Sequence, residues 1–176
     1  RCLPGSQKSV LDDIIHWIIF QDPVAPIYVL VGDAGCGKTC VAASIAARFR
    51  SSGTSGRLGA SVFLDRENRE HRDPTKNFPS IARELAAFDD KLKVRISRAI
   101  SQQPDLVRSG PEQQLQKLII EPLSNLTIIG PILIVIDGLD MQPDFAAVFT
   151  ALQNARNVPR NLRILITARE SLLPLI

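Results

Sequence analysis

Apolar residues along this chain fall either at helical spacing or in short unbroken runs, and the alternation of the two patterns defines the elements. Val10, Leu11, Ile14, Ile15 and Ile18 recur at helical spacing, with Lys8, Asp12 and Asp13 turned outward. They predict an amphipathic helix over 8–20 that stops by Asp22-Pro23. Ile27–Val31, between Pro26 and Gly32, is rich in β-branched residues and reads as a buried parallel strand. Val41, Ile45 and Phe49 follow at every fourth position among alanines, which predicts a helix. The Ser- and Gly-rich stretch 51–59 predicts a flexible turn, 60–64 a second strand, and 65–77 a polar loop. Pro79 suits the first turn of a helix striped by Ile81, Leu85 and Phe88, and another helix is expected over 92–100, broken by Pro104. Ser109 and Glu112 have capping-box spacing ahead of Leu115, Leu118, Ile119 and Leu123. An apolar run over 132–136 ends in Asp137, Phe145, Val148, Phe149 and Leu152 mark one more helix, and 162–167 is the last strand.

Strands alternating with helices imply an α/β fold with a mostly parallel sheet. At 176 residues and 45% hydrophobic content the chain fits about one domain with a real core. No apolar run has the length of a membrane-spanning helix, and Arg1-Cys2-Leu3-Pro4-Gly5 does not read as a signal peptide, so the expectation is a cytoplasmic protein with no membrane partner. Lys and Arg total 21 against 18 Asp and Glu, scattered without a basic stripe, so no specific nucleic-acid partner is expected. Cys2, Cys36 and Cys40 form no C-x-x-C pair, which leaves neither a disulfide framework nor a zinc site.

The chemistry starts between the first strand and its helix. Gly32, Asp33, Ala34, Gly35, Cys36, Gly37, Lys38 and Thr39 fit the phosphate-loop pattern G-x-x-x-x-G-K-[ST] without a mismatch. Glycines let the backbone wrap a phosphate closely, the helix N-terminus faces the anion, Lys38 supplies a mobile charge, and the Thr39 hydroxyl can ligate Mg²⁺. Cys36, near that helix N-terminus, is either a small filler or a thiol whose oxidation would block the loop. Asp137, delivered by a buried strand to the same sheet edge, is the matching Walker B carboxylate and can orient Mg²⁺ directly or through water, as the second residue of the metal site. Asp140 could polarise water, support the metal shell or cap a helix, and Thr167 with Arg169 could sense a terminal phosphate. Asp65 and Arg66 emerge on the same edge and read either as a solvated loop or as contacts to a nucleotide or a partner.

Three motifs then stand together: G-D-A-G-C-G-K-T at 32–39, I-L-I-V-I-D-G-L-D at 132–140 and L-I-T-A-R at 165–169. The chain resembles the NACHT nucleotide-binding domain of STAND-class signalling ATPases, relatives of AAA+ proteins, in the versions found in large fungal proteins. Cys2-Leu3-Pro4-Gly5, the stretch 60–66, Arg72-Asp73-Pro74 and Phe78-Pro79 look like the same group, so the similarity covers nearly the whole chain. The resemblance implies a three-layer α/β/α P-loop NTPase sheet of the ASCE and AAA+ order, with the sensor strand (162–169) between the Walker B strand and the phosphate-loop strand. It also implies that Lys38 and Thr39 bind phosphate and Mg²⁺, that Asp137 holds the metal, that Arg169 is the sensor arginine, and that Leu3 and Pro4 lie near the base. Met141 stands where the family usually carries an acid, so hydrolysis is expected to be slow or absent. The family's next strand, helical segment, winged helix and repeat region do not follow, so a fragment lacking the last strand is expected, with Ile27–Val31 left as an exposed edge.

The leading functional expectation is a slow NTPase switch that binds ATP, or GTP, with Mg²⁺ and controls self-association through the NACHT module. Effector and repeat domains of a larger NLR-like protein would carry the signal, in the manner of innate immunity. No guanine-recognition motif of the N-K-x-D type occurs, which favours adenine. The alternatives are a binding or scaffold module without hydrolysis, and a small-molecule kinase using Arg66, Arg69 and Arg72 as a lid.

Overall fold

The computed structural model describes residues 7–20, 25–50, 57–64, 73–124, 126, 128, 130–141 and 145–170. Its centre is a four-stranded, all-parallel sheet of β1 (Ile27–Val31), β2 (Arg57–Phe63), β3 (Ile132–Asp137) and β4 (Leu162–Ala168), in the order β1-β4-β3-β2. The expected insertion of the last strand between the Walker B strand and the loop strand is therefore observed. Both central strands are buried along their whole length, β3 as an unbroken apolar run up to Asp137 and β4 with Arg163 and Thr167 among its apolar residues.

Strand alternation splits the core into two layers, because successive side chains leave opposite faces of the sheet. Leu133, Val135 and Leu165 pack on Ile14 and Ile18 of α1 (Lys8–Ile19) and on Val41, Ile45 and Phe49 of α2 (Lys38–Arg50). Ile132, Ile134, Ile136, Ile164 and Ile166 point the other way, into a larger cluster. That cluster is closed by α3 (Asn77–Phe88), α4 (Asp90–Gln102), α5 (Pro111–Leu115), α6 (Glu121–Ser124) and α7 (Phe145–Gln153). The result is the three-layer α/β/α architecture. Among the described residues β1 pairs only with β4, and its five residues are half-buried, so it is the edge strand foreseen from the sheet order.

Local chemistry corrects several boundaries. The first helix ends at Ile19, and Phe20, included in the expected 8–20 span, is extended and exposed. The second strand starts at Arg57, three residues inside the stretch expected to be a flexible turn. Gly59 gave the turn signal, yet it sits in the strand at a register shift between Leu58 and Ala60. A Cβ there would come within 2.7 Å of Ile132 Cγ2 and 2.9 Å of Leu85 Cδ2, so glycine is present because helix and strand approach closely. The expected capping box does not form: Gly110 is the N-cap of α5, and the Ser109 hydroxyl donates to Asp105 O at 3.2 Å. Pro111 causes this, since the residue before a proline is kept out of the helical region and fixes the helix start after Gly110. Asp89 is the cap that does form, its Oδ1 accepting from Lys91 N at 2.8 Å and Leu92 N at 3.2 Å.

The expected helix through Leu115, Leu118, Ile119 and Leu123 runs as α5, a π-helical turn over Gln116–Ile120, and α6. Gln114, fully buried beside that turn, donates from Nε2 to Thr75 O and Val107 O at 2.9 Å each, tying three segments together. Arg163 of β4 is also buried, which pushes its guanidinium below the ordinary value, and its N–H groups reach the carbonyls of Trp17, Arg160 and Leu162.

Gly59→Ala measures the close approach. Where room exists, Gly→Ala stabilises by about 0.4–1 kcal/mol through the unfolded state. Here the methyl overpacks Ile132 and Leu85, and we expect a net loss of about 1–3 kcal/mol in urea unfolding. A neutral or stabilising result would contradict the packing described.

Candidate functional site

The loop from Gly32 to Gly37 joins the end of β1 to the first residue of α2, Lys38. Gly35 and Gly37 have φ of +81° and +92°, values that side-chain-bearing residues rarely adopt. A Cβ on Gly32 would sit 3.0 Å from Cys36 Sγ, and one on Gly37 would collide with the Gln7 side-chain amide. Gln7, in the left-handed region just before α1, donates from Nε2 to Cys36 O. The N-terminal helix is thereby tied to the loop, a link that no motif announced. Val41 N bonds to Gly37 O at 3.0 Å as α2 begins, so the preceding amides of the helix start are the orphan donors suited to an anion.

Lys38 Nζ donates to Gly32 O and Asp33 O at 2.7 Å each and reaches Cys36 Sγ at 3.6 Å. The ammonium, with three N–H donors and no acceptor, thus satisfies itself along the loop's own backbone. Thr39 is exposed in the first turn of α2.

Across the sheet edge, Asp137 closes β3 and is only 4% exposed. Its Oδ1 accepts the Thr167 hydroxyl at 2.5 Å, and the same hydroxyl oxygen accepts Gly138 N–H at 2.9 Å. Gly138 has φ of +75°, and a Cβ there would lie 3.1 Å from Leu64 O, which explains a small residue directly after the carboxylate. Asp140, in a 3₁₀ turn over Leu139–Met141, turns its carboxylate to Arg169: Oδ1 accepts from the Arg169 backbone N–H at 3.2 Å, and Oδ2 lies 3.3 Å from Nε. Arg169 Nη2 also meets Met141 Sδ at 3.0 Å.

These elements meet in one cleft of about 570 Å³, lined by Ala34, Gly35, Gly37, Lys38, Thr39, Asp140, Met141 and Arg169 with Cys40 and Ala43. Its volume lies in the range of small-molecule sites. Gly32, Asp33, Cys36 and Asp137 do not line this cleft. Leu3 and Pro4, and also Asp65, Arg66, Arg69 and Arg72, lie outside the described residues. Among the described residues no three His, Cys, Asp or Glu side chains cluster as a self-sufficient metal cage. Thr39 lines the cleft and offers a hydroxyl oxygen of the kind a hard cation takes while keeping water and phosphate oxygens, whereas the Asp137 carboxylate is buried outside the lining with Oδ1 on the Thr167 hydroxyl. No helix among the described residues is long and apolar enough to cross a membrane.

The sequence profile of the family described as Nephrocystin 3, N-terminal, matches residues 5–169. This is a different family from NACHT, to which no match is found, although nephrocystin 3 is itself a NACHT-related protein. No curated protein matches the chain.

Thr167→Val keeps the shape of the side chain and removes the hydroxyl shared by Asp137 and Gly138. A buried acceptor left without its donor costs about 1–3 kcal/mol, so the thermal midpoint should fall, and Thr167→Ser should restore most of it. Equal stability of the valine variant and wild type would show that this hydrogen bond does not hold the β3 and β4 ends together.

Proposed function

Since the chain belongs to the nephrocystin 3 N-terminal family, we propose that it is a NACHT-type module that binds ATP with Mg²⁺. Hydrolysis is slow, and the bound nucleotide switches self-association and signalling of a larger, cytoplasmic NLR-like protein. One observation carries this reading. The phosphate-loop residues Gly35, Gly37, Lys38 and Thr39 share a single cleft with Asp140 and Arg169, which follow the ends of strands far later in the chain.

In this reading the loop amides and the start of α2 hold the phosphates, and Lys38 exchanges its loop carbonyls for phosphate oxygens. Thr39 and Asp137 hold Mg²⁺, which when bound neutralises charge on the phosphates. Arg169 contacts the terminal phosphate from the opposite wall of the cleft. GTP remains the alternative nucleotide, with the absence of an N-K-x-D motif favouring adenine. Gln7 carries the switch towards α1, because its amide bonds to the loop carbonyl of Cys36.

A second reading, a nucleotide-binding or scaffold module without hydrolysis, draws on a specific contact: Asp140, one candidate for activating water, is engaged by Arg169, and Met141 offers no carboxylate in its place.

Competition of MgATP, MgADP and MgGTP against a labelled ATP analogue, with phosphate release followed in parallel, tests the proposal. We expect adenine-selective binding that weakens at least roughly tenfold in Lys38→Ala, the loss of one charge-assisted contact, together with slow release. Binding unaffected by Lys38→Ala would overturn the assignment of the loop. Binding with no release would leave the scaffold reading.

A further inference from the structure

The Asp140 carboxylate is poorly placed to act on water. Its side chain is 4% exposed, and both oxygens already have partners, Oδ1 on the Arg169 backbone N–H and Oδ2 on Arg169 Nε. A general base needs a lone pair within reach of the water whose proton it takes, in a position that water can occupy. What this carboxylate does control is the arginine. It meets Arg169 at two points, the backbone N–H and the guanidinium Nε, and so ties the arginine to the turn that follows β3. Arg169, with its side chain 33% exposed, lines the same cleft as Lys38 and Thr39. Among the described residues Nη1 has no acceptor, and Nη2 touches only the soft, weakly accepting thioether of Met141.

We propose that Asp140 is a positioning residue that aims the Arg169 guanidinium at the terminal phosphate, and that Met141 keeps the outer nitrogens available for it, so that this pair makes the site discriminate nucleoside triphosphate from diphosphate. The inference rests on the nucleotide reading above and adds the source of its selectivity. The chemistry of position 141 follows from the same geometry. A carboxylate there would face Nη2 directly and would compete with a phosphate for the guanidinium, whereas a thioether supports the group by contact without neutralising it.

The test compares dissociation constants for MgATP and MgADP in the intact chain, for wild type, Asp140→Asn, Met141→Glu and Lys38→Ala. Asp140→Asn keeps an oxygen for the Arg169 backbone N–H and removes the ion pair. It should lower the ATP-over-ADP preference roughly tenfold while MgADP binding stays within about twofold, since the released charge acts only on the terminal phosphate. Met141→Glu should lower the same ratio by a second route, and it decides the matter if thermal melting shows that Asp140→Asn does not fold. A purely structural role would weaken both nucleotides in proportion, and an unchanged ratio in a folded variant overturns the proposal. Lys38→Ala separates the two levels. If wild type binds both nucleotides through Lys38 but shows no preference between them, the positioning role fails and the nucleotide site stands. If Lys38→Ala changes nothing, both fail.

Discussion

A carboxylate at the end of a fully buried strand is the constraint on which this architecture turns. Every other residue of β3 is apolar and buried, and Asp137 is almost as inaccessible as they are. A polar group in that position must find its partner within the protein, because water does not reach it freely. The Thr167 hydroxyl answers it, and it can do so only because β4 lies beside β3 with Ile136 opposite Ile166, which brings the two strand ends level. β1 then pairs on the far side of β4, with Val31 opposite Ala168, so the loop that follows β1 opens beside the residues that follow β4. The sheet order and the site are thus one arrangement, the carboxyl edge of a parallel sheet where the chain reverses its order.

How much of this could be read from the chain depends on the range of the interaction involved. The loop, the two central strands and the helix after the loop declared themselves locally, through glycine spacing, unbroken apolar runs and a four-residue repeat. The division of Ile132, Ile134 and Ile136 from Leu133 and Val135 into two core layers is seen only in the packing, because a uniformly apolar run does not show which helices cover which face. Gly59 misled because a glycine that relieves a close approach and a glycine that makes a turn look the same in sequence. The π-helical turn at Gln116–Ile120 leaves the apolar spacing of its neighbours nearly unchanged, and the capping-box pattern at Ser109 was overruled by the adjacent proline.

The site shows the same division more sharply. Lys38, Thr39, Asp137 and Arg169 were each marked by a motif, but a motif does not state what a side chain touches. That Asp140 spends its carboxylate on Arg169, 29 residues away, and that Gln7 reaches Cys36 across the same separation, are facts of the tertiary structure. They add contacts that the motifs did not state: Asp140, read from sequence as acting on water, supporting the metal shell or capping a helix, is paired with Arg169, and the residue before the N-terminal helix is hydrogen-bonded to the loop. On the proposed reading such a site would grip phosphate oxygens and have little left to polarise water, and slow or absent turnover would be its natural companion.

The most direct measurement is a map of backbone amide perturbation by NMR on adding MgATP and then MgADP to the intact chain. The account predicts that the amides of 34–39 and of Gln7 respond to both nucleotides, and that Arg169 and its neighbours respond to MgATP alone. Perturbation confined to other surfaces, such as the hollow lined by Arg95, Arg98 and Lys117, or none at the loop, would contradict it.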